Sequence, residues 1–411
     1  MDTIRPSVLF QPERLVALRS TGYVPLTQHD SHPPKPLMPI PSRASDKALF
    51  TPGPLTTSLA VKQAMLHDAG SWHFEFNAKV AAIRKTLLHL GGVSQAAGYE
   101  CILLQGSGSF GVESVFATAV PPNGKVLVLV NGAYGERMVQ MLQHAKINHS
   151  VLRFPENEAP DATAVAKALD EDPSIGFVAV IHCETTTGIL NPLEELSKVV
   201  KQRERAFFVD AMSSFGAVPI DLESLGIDFM VSSANKAIEG VPGFSYILAR
   251  REALLANEGH ARSLCLDLVA QLRCFEKNGQ FRYSPPTHSL LAFEQALKEL
   301  EEEGGIEARG QRYAENHQTL ITGMRELGFK SYLPEALQSF IITSFHYPTS
   351  PAFDFQTFYR RLSDKGKIIY PGKISQGDLF RIGSIGRLFP ADMEALIDAI
   401  ARVTQELKIT L

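Results

Sequence analysis

Residues 231–244 read VSSANKAIEGVPGF. Its start closes an apolar run, DFMVSS (228–233), and its end is a turn bearing Gly and Pro. Between them stands one lysine, Lys236. A short, nearly continuous apolar run bounded by turn residues reads as a strand buried on both faces, which is the habit of parallel sheets. In open parallel sheets ligands sit beyond the carboxyl ends of the strands. The lysine therefore falls where a ligand would lie.

Outward from that point the same grammar repeats. The apolar runs YECILLQ (99–105), KVLVLVN (125–131), INHSVLRF (147–154), IGFVAVIHC (175–183), RAFFVDA (205–211) and FSYILARREAL (244–254) read as strands. Between them FGVESVFATAV, YGERMVQMLQHA, DATAVAKALDED and PLEELSKVVKQRE carry helical spacing. Alternation of this kind predicts an α/β fold, its sheet covered on both faces by helices. After about residue 290 the texture changes. The segment 289–328 predicts one or two long helices, and SFIITSFHY, FYRRLSDKG, KIIYPG, LFRIGSIG and PADMEALIDAIARVTQEL alternate on a smaller scale. The expected organisation is an N-terminal extension (1–46), a large domain (47–290) and a small C-terminal α/β domain (291–411).

The chain has 411 residues, 45% of them apolar and 20% charged, with a formal net charge of −4. That balance fits a soluble globular protein, and no basic block of the kind that binds nucleic acid is present. Four cysteines without CxxC spacing give no disulfide framework and read as reduced thiols. The apolar runs fall far short of the ~18 residues that a membrane span needs. The start, MDTIRPSVLF, lacks the layout of a secretory signal. Arg5, Arg14 and Arg19 hint at organelle import and Asp2 and Glu13 count against it, so the expected location is cytoplasmic.

The residues just past each strand are the candidates for chemistry. Lys236, held in a tight segment with few charges, suits a nucleophilic amine that forms a Schiff base with an aldehyde. The plainer alternative is a solvated loop lysine. Asp210 ends an apolar strand, where a carboxylate is costly unless paired. It is either a cap or ion-pair member, or the group that keeps a cofactor ring nitrogen protonated. A lysine imine with an aspartate facing a pyridinium is the arrangement used by enzymes of pyridoxal 5'-phosphate. Ser107, Gly108 and Ser109 open a helix, whose free N–H groups attract phosphate. The same stretch, GSGSFG, also matches the dinucleotide fingerprint, so a nicotinamide-dependent oxidoreductase is a rival. The fingerprint wants an acidic residue further on, and the next strand ends in Asn131. Tyr134 suits stacking on a flat ring or capping a helix turn. Thr185 and Thr186 offer hydroxyls near that ring. Arg381, inside an apolar strand, needs an anionic partner: a carboxylate or phosphonate of a substrate, or an internal acid.

Taken in order, LFTPGPLTTS, LLQGSGSFGVES, NGAYGERM, HCETTTGILNP, FVDAMSSFGA, SSANKAIEGVPGF, PPTH and FRIGSIG resemble the class V, fold-type-I aminotransferases from about residue 48 to the C-terminus. The resemblance implies a large domain with a mostly parallel seven-stranded sheet, a smaller C-terminal domain, and pyridoxal 5'-phosphate as cofactor. It implies a homodimer with active sites shared at the interface, acting on a small-molecule amino donor and a 2-oxo acid. Lys236 would hold the cofactor aldehyde and move the proton. Asp210 would pair with the ring nitrogen, and Tyr134 would stack on the ring. Ser107, Gly108, Ser109 and Ser233 would hold the cofactor, with Thr287 reaching in from the neighbouring subunit. Thr185 or Thr186 would touch the 3-oxygen side, and Arg381 would bind the acidic group of each substrate. No metal is implied. The activity implied is transfer of an amino group from 2-aminoethylphosphonate to pyruvate. Alanine–glyoxylate or serine transamination is the alternative within the family. A sulfur-removing relative would need a cysteine late in the chain, and the last is Cys274. The sequence departs from the family at Ser109 (usually Thr), at Glu239 (usually Gln) and in HDAGSWHFEFN (67–77). If Glu239 faces the pocket, its charge would disfavour a phosphonate dianion.

Overall fold

Seven of the apolar runs become one sheet. Its strands are β1 (Tyr99–Gln105), β2 (Lys125–Val130), β3 (Asn148–Arg153), β4 (Ile175–Ile181), β5 (Ala206–Asp210), β6 (Phe229–Ser233) and β7 (Phe244–Arg250). The computed structural model describes residues 46–372 and 377–411. The expected extension at 1–46, apart from Asp46, and the arginines near the start lie outside the described residues. In space the strands run β1–β7–β6–β5–β4–β2–β3. All neighbours are parallel except β7, which is antiparallel to both β1 and β6. The sheet is thus mostly parallel and seven-stranded, as expected. The run FSYILARREAL is not all strand, because Arg251–Leu255 turns into a short helix.

The β4, β5 and β6 residues are almost all buried, as strands covered on both faces must be. Helices α1 (Phe74–Leu90), α2 (Gly108–Ala119), α3 (Ala133–His144), α4 (Ala162–Glu171) and α5 (Leu193–Gln202) cover them. Asp161 starts α4 by accepting from the Thr163 and Ala164 N–H groups. Such a cap stabilises a helix by about 1 kcal/mol. Burial of Phe207, Phe208, Phe229 and Ile247, each 0–1% exposed, contributes roughly 1.5–3 kcal/mol per side chain.

The long helical segment after residue 287 is two helices, α6 (Thr287–Glu303) and α7 (Gly305–Leu327). They divide at Gly304 and Gly305, with φ of 109° and 83°. Only glycine adopts such angles without strain, so the helix ends there. The inner face of α6, Leu290 to Leu300, packs in the same core as the sheet. A second core gathers Phe50 with residues from Leu320 to Ile409. It holds β8 (Ile342–His346), α8 (Phe355–Asp364), β9 (Tyr370–Pro371), β10 (Leu379–Gly383) and α9 (Pro390–Glu406). β10 pairs antiparallel with both β8 and β9. The chain start joins this region as well: Ala48–Leu49 pairs with Lys367–Ile368. A third apolar group includes Leu55, Cys183, Ala237, Tyr313, Ile341 and Ile385.

Candidate active site

Because β4, β5 and β6 are adjacent and parallel, their carboxyl ends come side by side. The register places Asp210 opposite Ile181 on one side and Val231 on the other. His182 N–H donates to the Asp210 carbonyl at 2.8 Å, and Ala211 N–H to that of Val231 at 3.0 Å. The rim so formed opens on a cavity of about 200 Å³. Its lining includes Ser107, Gly108, Ser109, Tyr134, Thr185, Asp210, Ser233 and Lys236. Eight separately expected residues therefore share one enclosure.

Lys236 reaches into it with Nζ held by the Pro52 carbonyl at 2.7 Å. The chain passes tightly here. A side chain at Gly53, whose φ is 125°, would place its Cβ 2.7 Å from Nζ. Desolvation lowers the lysine pKa; Tyr134 and Asp210 oppose the shift and Arg381 adds to it. Asp210 is 7% exposed. Burial pushes its carboxyl up to about 7, against a hydrogen bond from Met212 N–H at 2.8 Å. Nearby Glu184 raises it further, and Lys236 and Arg137 lower it. An amine whose pKa burial lowers and a carboxyl whose pKa burial raises line one small space. Strongly shifted groups of this kind mark functional sites.

At the other end, α2 begins on Ser107, whose hydroxyl makes no capping bond to the helix. Its N-terminal N–H groups and the Ser107 hydroxyl form a ready anion site. Ser109 Oγ accepts from Arg137 Nη1 at 3.2 Å. Ser233 Oγ donates to Asn235 Oδ1 at 3.1 Å.

Three expected residues stand apart from the lining. Thr186 is fully buried; its hydroxyl donates to Glu184 at 2.6 Å and accepts from Ala133 N–H at 2.9 Å. It shapes the wall behind the cavity, and Thr185 is the threonine that faces in. Thr287 stands at the start of α6, its hydroxyl 3.5 Å from His288 Nδ1, and does not line this chain's cavity. Arg381, 2% exposed, backs the wall. It donates to the Thr185 carbonyl at 2.6 Å and the Pro371 carbonyl at 2.9 Å, and is hydrogen-bonded to the Tyr134 side chain. His182 is satisfied structurally by Ser214 at 2.9 Å, and burial holds its pKa down at about 3. Asn131 is also structural, donating to Asn191 at 2.8 Å and to the Glu158 carbonyl at 3.0 Å.

The concern over Glu239 is corrected by its surroundings. Although it follows Lys236 by one turn, its carboxylate points away from the cavity. It accepts from Arg312 at 2.7 Å and from the Tyr313 hydroxyl at 2.6 Å, with Arg309 at 3.5 Å. Two arginines compensate its charge. Arg137, Asn235 and Met212 also line the cavity and were not anticipated. For Arg137 a signal existed: it follows Tyr134 by three positions on α3, which puts both on one helix face.

A sheet of this order, with a lysine and an aspartate at its strand ends, defines an α/β aminotransferase of fold type I. The family model for aminotransferase class V matches residues 59–363, and the chain belongs to that family. The chain is 50% identical over 354 residues to a 2-aminoethylphosphonate–pyruvate transaminase of Klebsiella pneumoniae subsp. pneumoniae, covering 86% of this chain and 96% of the relative. It is 51% identical, with the same coverage, to one of Salmonella paratyphi C. Among solved structures it resembles alanine–glyoxylate aminotransferase from Nostoc sp., with a TM-score of 0.81, 24% identity and coverage of 88% and 96%. It also resembles pyridoxamine–pyruvate aminotransferase from Mesorhizobium loti, with a TM-score of 0.80, 22% identity and coverage of 90% and 95%.

Proposed function

We propose that the chain is a pyridoxal 5'-phosphate-dependent transaminase. In this reading it moves the amino group of 2-aminoethylphosphonate to pyruvate, giving phosphonoacetaldehyde and alanine. The observation that carries the reading is the desolvated Lys236 amine sharing one cavity with the buried Asp210 carboxyl. The residues fit the cofactor. Asp210 is a buried carboxyl in need of a cation, Lys236 is an amine suited to an aldehyde, and the start of α2 is an anion site. The choice of donor is supported by relatives of about half-identical sequence that carry this activity in their names.

When bound, pyridoxal phosphate supplies an aldehyde that takes the amino group and a ring that draws off electrons from the substrate carbon. The remaining work falls to the chain. Asp210 would hold a proton on the ring nitrogen. Lys236 Nζ, more basic-ready at neutral pH because burial lowers its pKa, takes a proton from the amine-bearing carbon of the donor. It returns one to the 2-oxo carbon of the acceptor in the second half-reaction. Proton transfer of this kind is worth ~10²–10⁴-fold in rate. Arg381 and its neighbour Tyr134 bind the phosphonate, then the carboxylate. Tyr134 and Thr185 would hold the ring, and Ser107, Gly108, Ser109 and Ser233 would hold the phosphate end. Val112, Met138 and Met212 exclude water from the cavity.

The reading includes a homodimer, with Thr287 of one subunit completing the site of the other. Leu66, Trp72 and Phe74, 80%, 77% and 73% exposed, offer the apolar surface that a second copy would cover. The nicotinamide reading loses its support, because Asn131 is engaged with Asn191 rather than open to a ribose. The test is a panel of amino donors with pyruvate, followed by alanine formation. 2-Aminoethylphosphonate is expected to be the preferred donor. Faster turnover with serine, or with alanine and glyoxylate, would overturn the substrate assignment. Lys236→Ala is expected to abolish turnover with every donor.

A further inference from the structure

The cavity has two ends, and each carries an arginine. Arg381 backs the end near Thr185. Arg137 lines the other end, beside Ser107, Gly108 and Ser109. Its guanidinium donates to Ser109 Oγ at 3.2 Å and lies 4.9 Å from the centre of the Tyr134 ring. Among the described residues Arg137 makes no ion pair, whereas its neighbour Glu136 is held by Arg153 at 2.7 Å. Arg137 acts on the Asp210 carboxyl only through space, and an arginine in a cavity wall outside ion-pair distance of a carboxylate leaves its planar fork ready for an anion. The start of α2 points its positive end to the same place. Helix N–H groups and serine hydroxyls alone carry no full charge, whereas a phosphate monoester carries close to two.

We propose that Arg137 binds the phosphate of the cofactor, supplying the formal positive charge that Ser107, Gly108 and Ser109 lack. This rests on the pyridoxal phosphate reading above. Stacking against Tyr134 fixes the fork, so that one helix face presents both the ring platform and the phosphate ligand. The two arginines divide the anions: Arg137 takes the cofactor's and Arg381 the substrate's.

The test compares dissociation constants of wild type, Arg137→Gln and Arg137→Lys, prepared without cofactor. Two probes are read by visible absorbance: pyridoxal phosphate, and pyridoxal, which keeps the aldehyde and ring but lacks the phosphate. Loss of a charge-assisted contact is expected to weaken pyridoxal phosphate about 10- to 100-fold in Arg137→Gln. Pyridoxal binding should not change. Arg137→Lys should fall between, because it keeps the charge and loses the fork; it also carries the comparison if the glutamine variant does not fold. Inorganic phosphate should compete with pyridoxal phosphate more weakly in Arg137→Gln than in wild type. Equal weakening of both probes would mean a merely structural role and would overturn the proposal. Normal pyridoxal phosphate affinity in both variants would overturn it alone. A wild-type protein that takes up no pyridoxal phosphate would bring down the functional reading, and this inference with it.

Discussion

Replacing Glu239 by alanine removes the centre of a buried charge network. Glu239 is 1% exposed and Arg309 0%. Its carboxylate meets Arg312 at 2.7 Å and the Tyr313 hydroxyl at 2.6 Å. Arg312 in turn donates to the Gly386 and Leu388 carbonyls, each at 2.7 Å, just past the strand that carries Arg381. Glu303 is the other acid against these arginines, 2.7 Å from each. Without Glu239, two buried guanidinium groups share one carboxylate, and the Tyr313 hydroxyl loses its charged acceptor. Removing one partner of a buried ion pair costs about 3–5 kcal/mol. With an unfolding entropy of about 2.1 cal/mol/K per residue over the unit Asp46–Leu411, the melting midpoint should fall by about 4–6 °C. Scanning calorimetry reads this directly. Glu239→Gln, which keeps the acceptor and loses the charge, should fall between. Neither change should shift the preference between phosphonate and carboxylate donors, because the side chain faces α7 rather than the cavity. A melting midpoint for Glu239→Ala within about 1 °C of wild type would refute the stability argument. A gain in phosphonate preference would refute the orientation.

Asp210→Asn should change how the cofactor-free protein responds to pH. A carboxyl raised to about 7 in the fold, from 3.8, binds its proton more tightly folded than unfolded. Its contribution is therefore favourable at low pH and is lost as pH rises through that window. Thermal melts of the cofactor-free proteins should show the asparagine variant the more stable at pH 8, with the difference shrinking towards pH 4; equal melts at pH 8 would contradict the burial argument. Gly53→Ala should cut turnover severely, because the new Cβ meets the Lys236 side chain within 3.0 Å at a φ of 125°. Steady-state kinetics with the intact holoenzyme would show it, and wild-type rates would mean that the Pro52–Gly53 backbone does not position the lysine.

The strands were legible because a sheet covered on both faces demands continuous apolar runs, and KVLVLV, GFVAVI and FMVSS supply them. The direction of β7 was not legible. An apolar run has no polarity, and only its pairing with β1 and β6 fixes it as antiparallel. The rule that ligands sit at strand ends found Asp210 and Lys236, which reach the cavity from adjacent strands. It said nothing about residues that arrive from elsewhere. The Pro52 carbonyl meets Lys236 across 184 positions, and Arg309 and Arg312 turn Glu239 away from across 70 and 73 positions. Neither encounter has a local signature. The choice between Thr185 and Thr186 likewise depended on Glu184, whose acceptance of the Thr186 hydroxyl leaves Thr185 to face the cavity.

Lys236 is the residue proposed to bind the cofactor aldehyde. Treating the holoenzyme with borohydride fixes any such imine, and peptide mass spectrometry then locates the pyridoxyl group. One modified peptide, containing Lys236, is expected. A label on another lysine, or none in a protein that turns over its substrates, would contradict it.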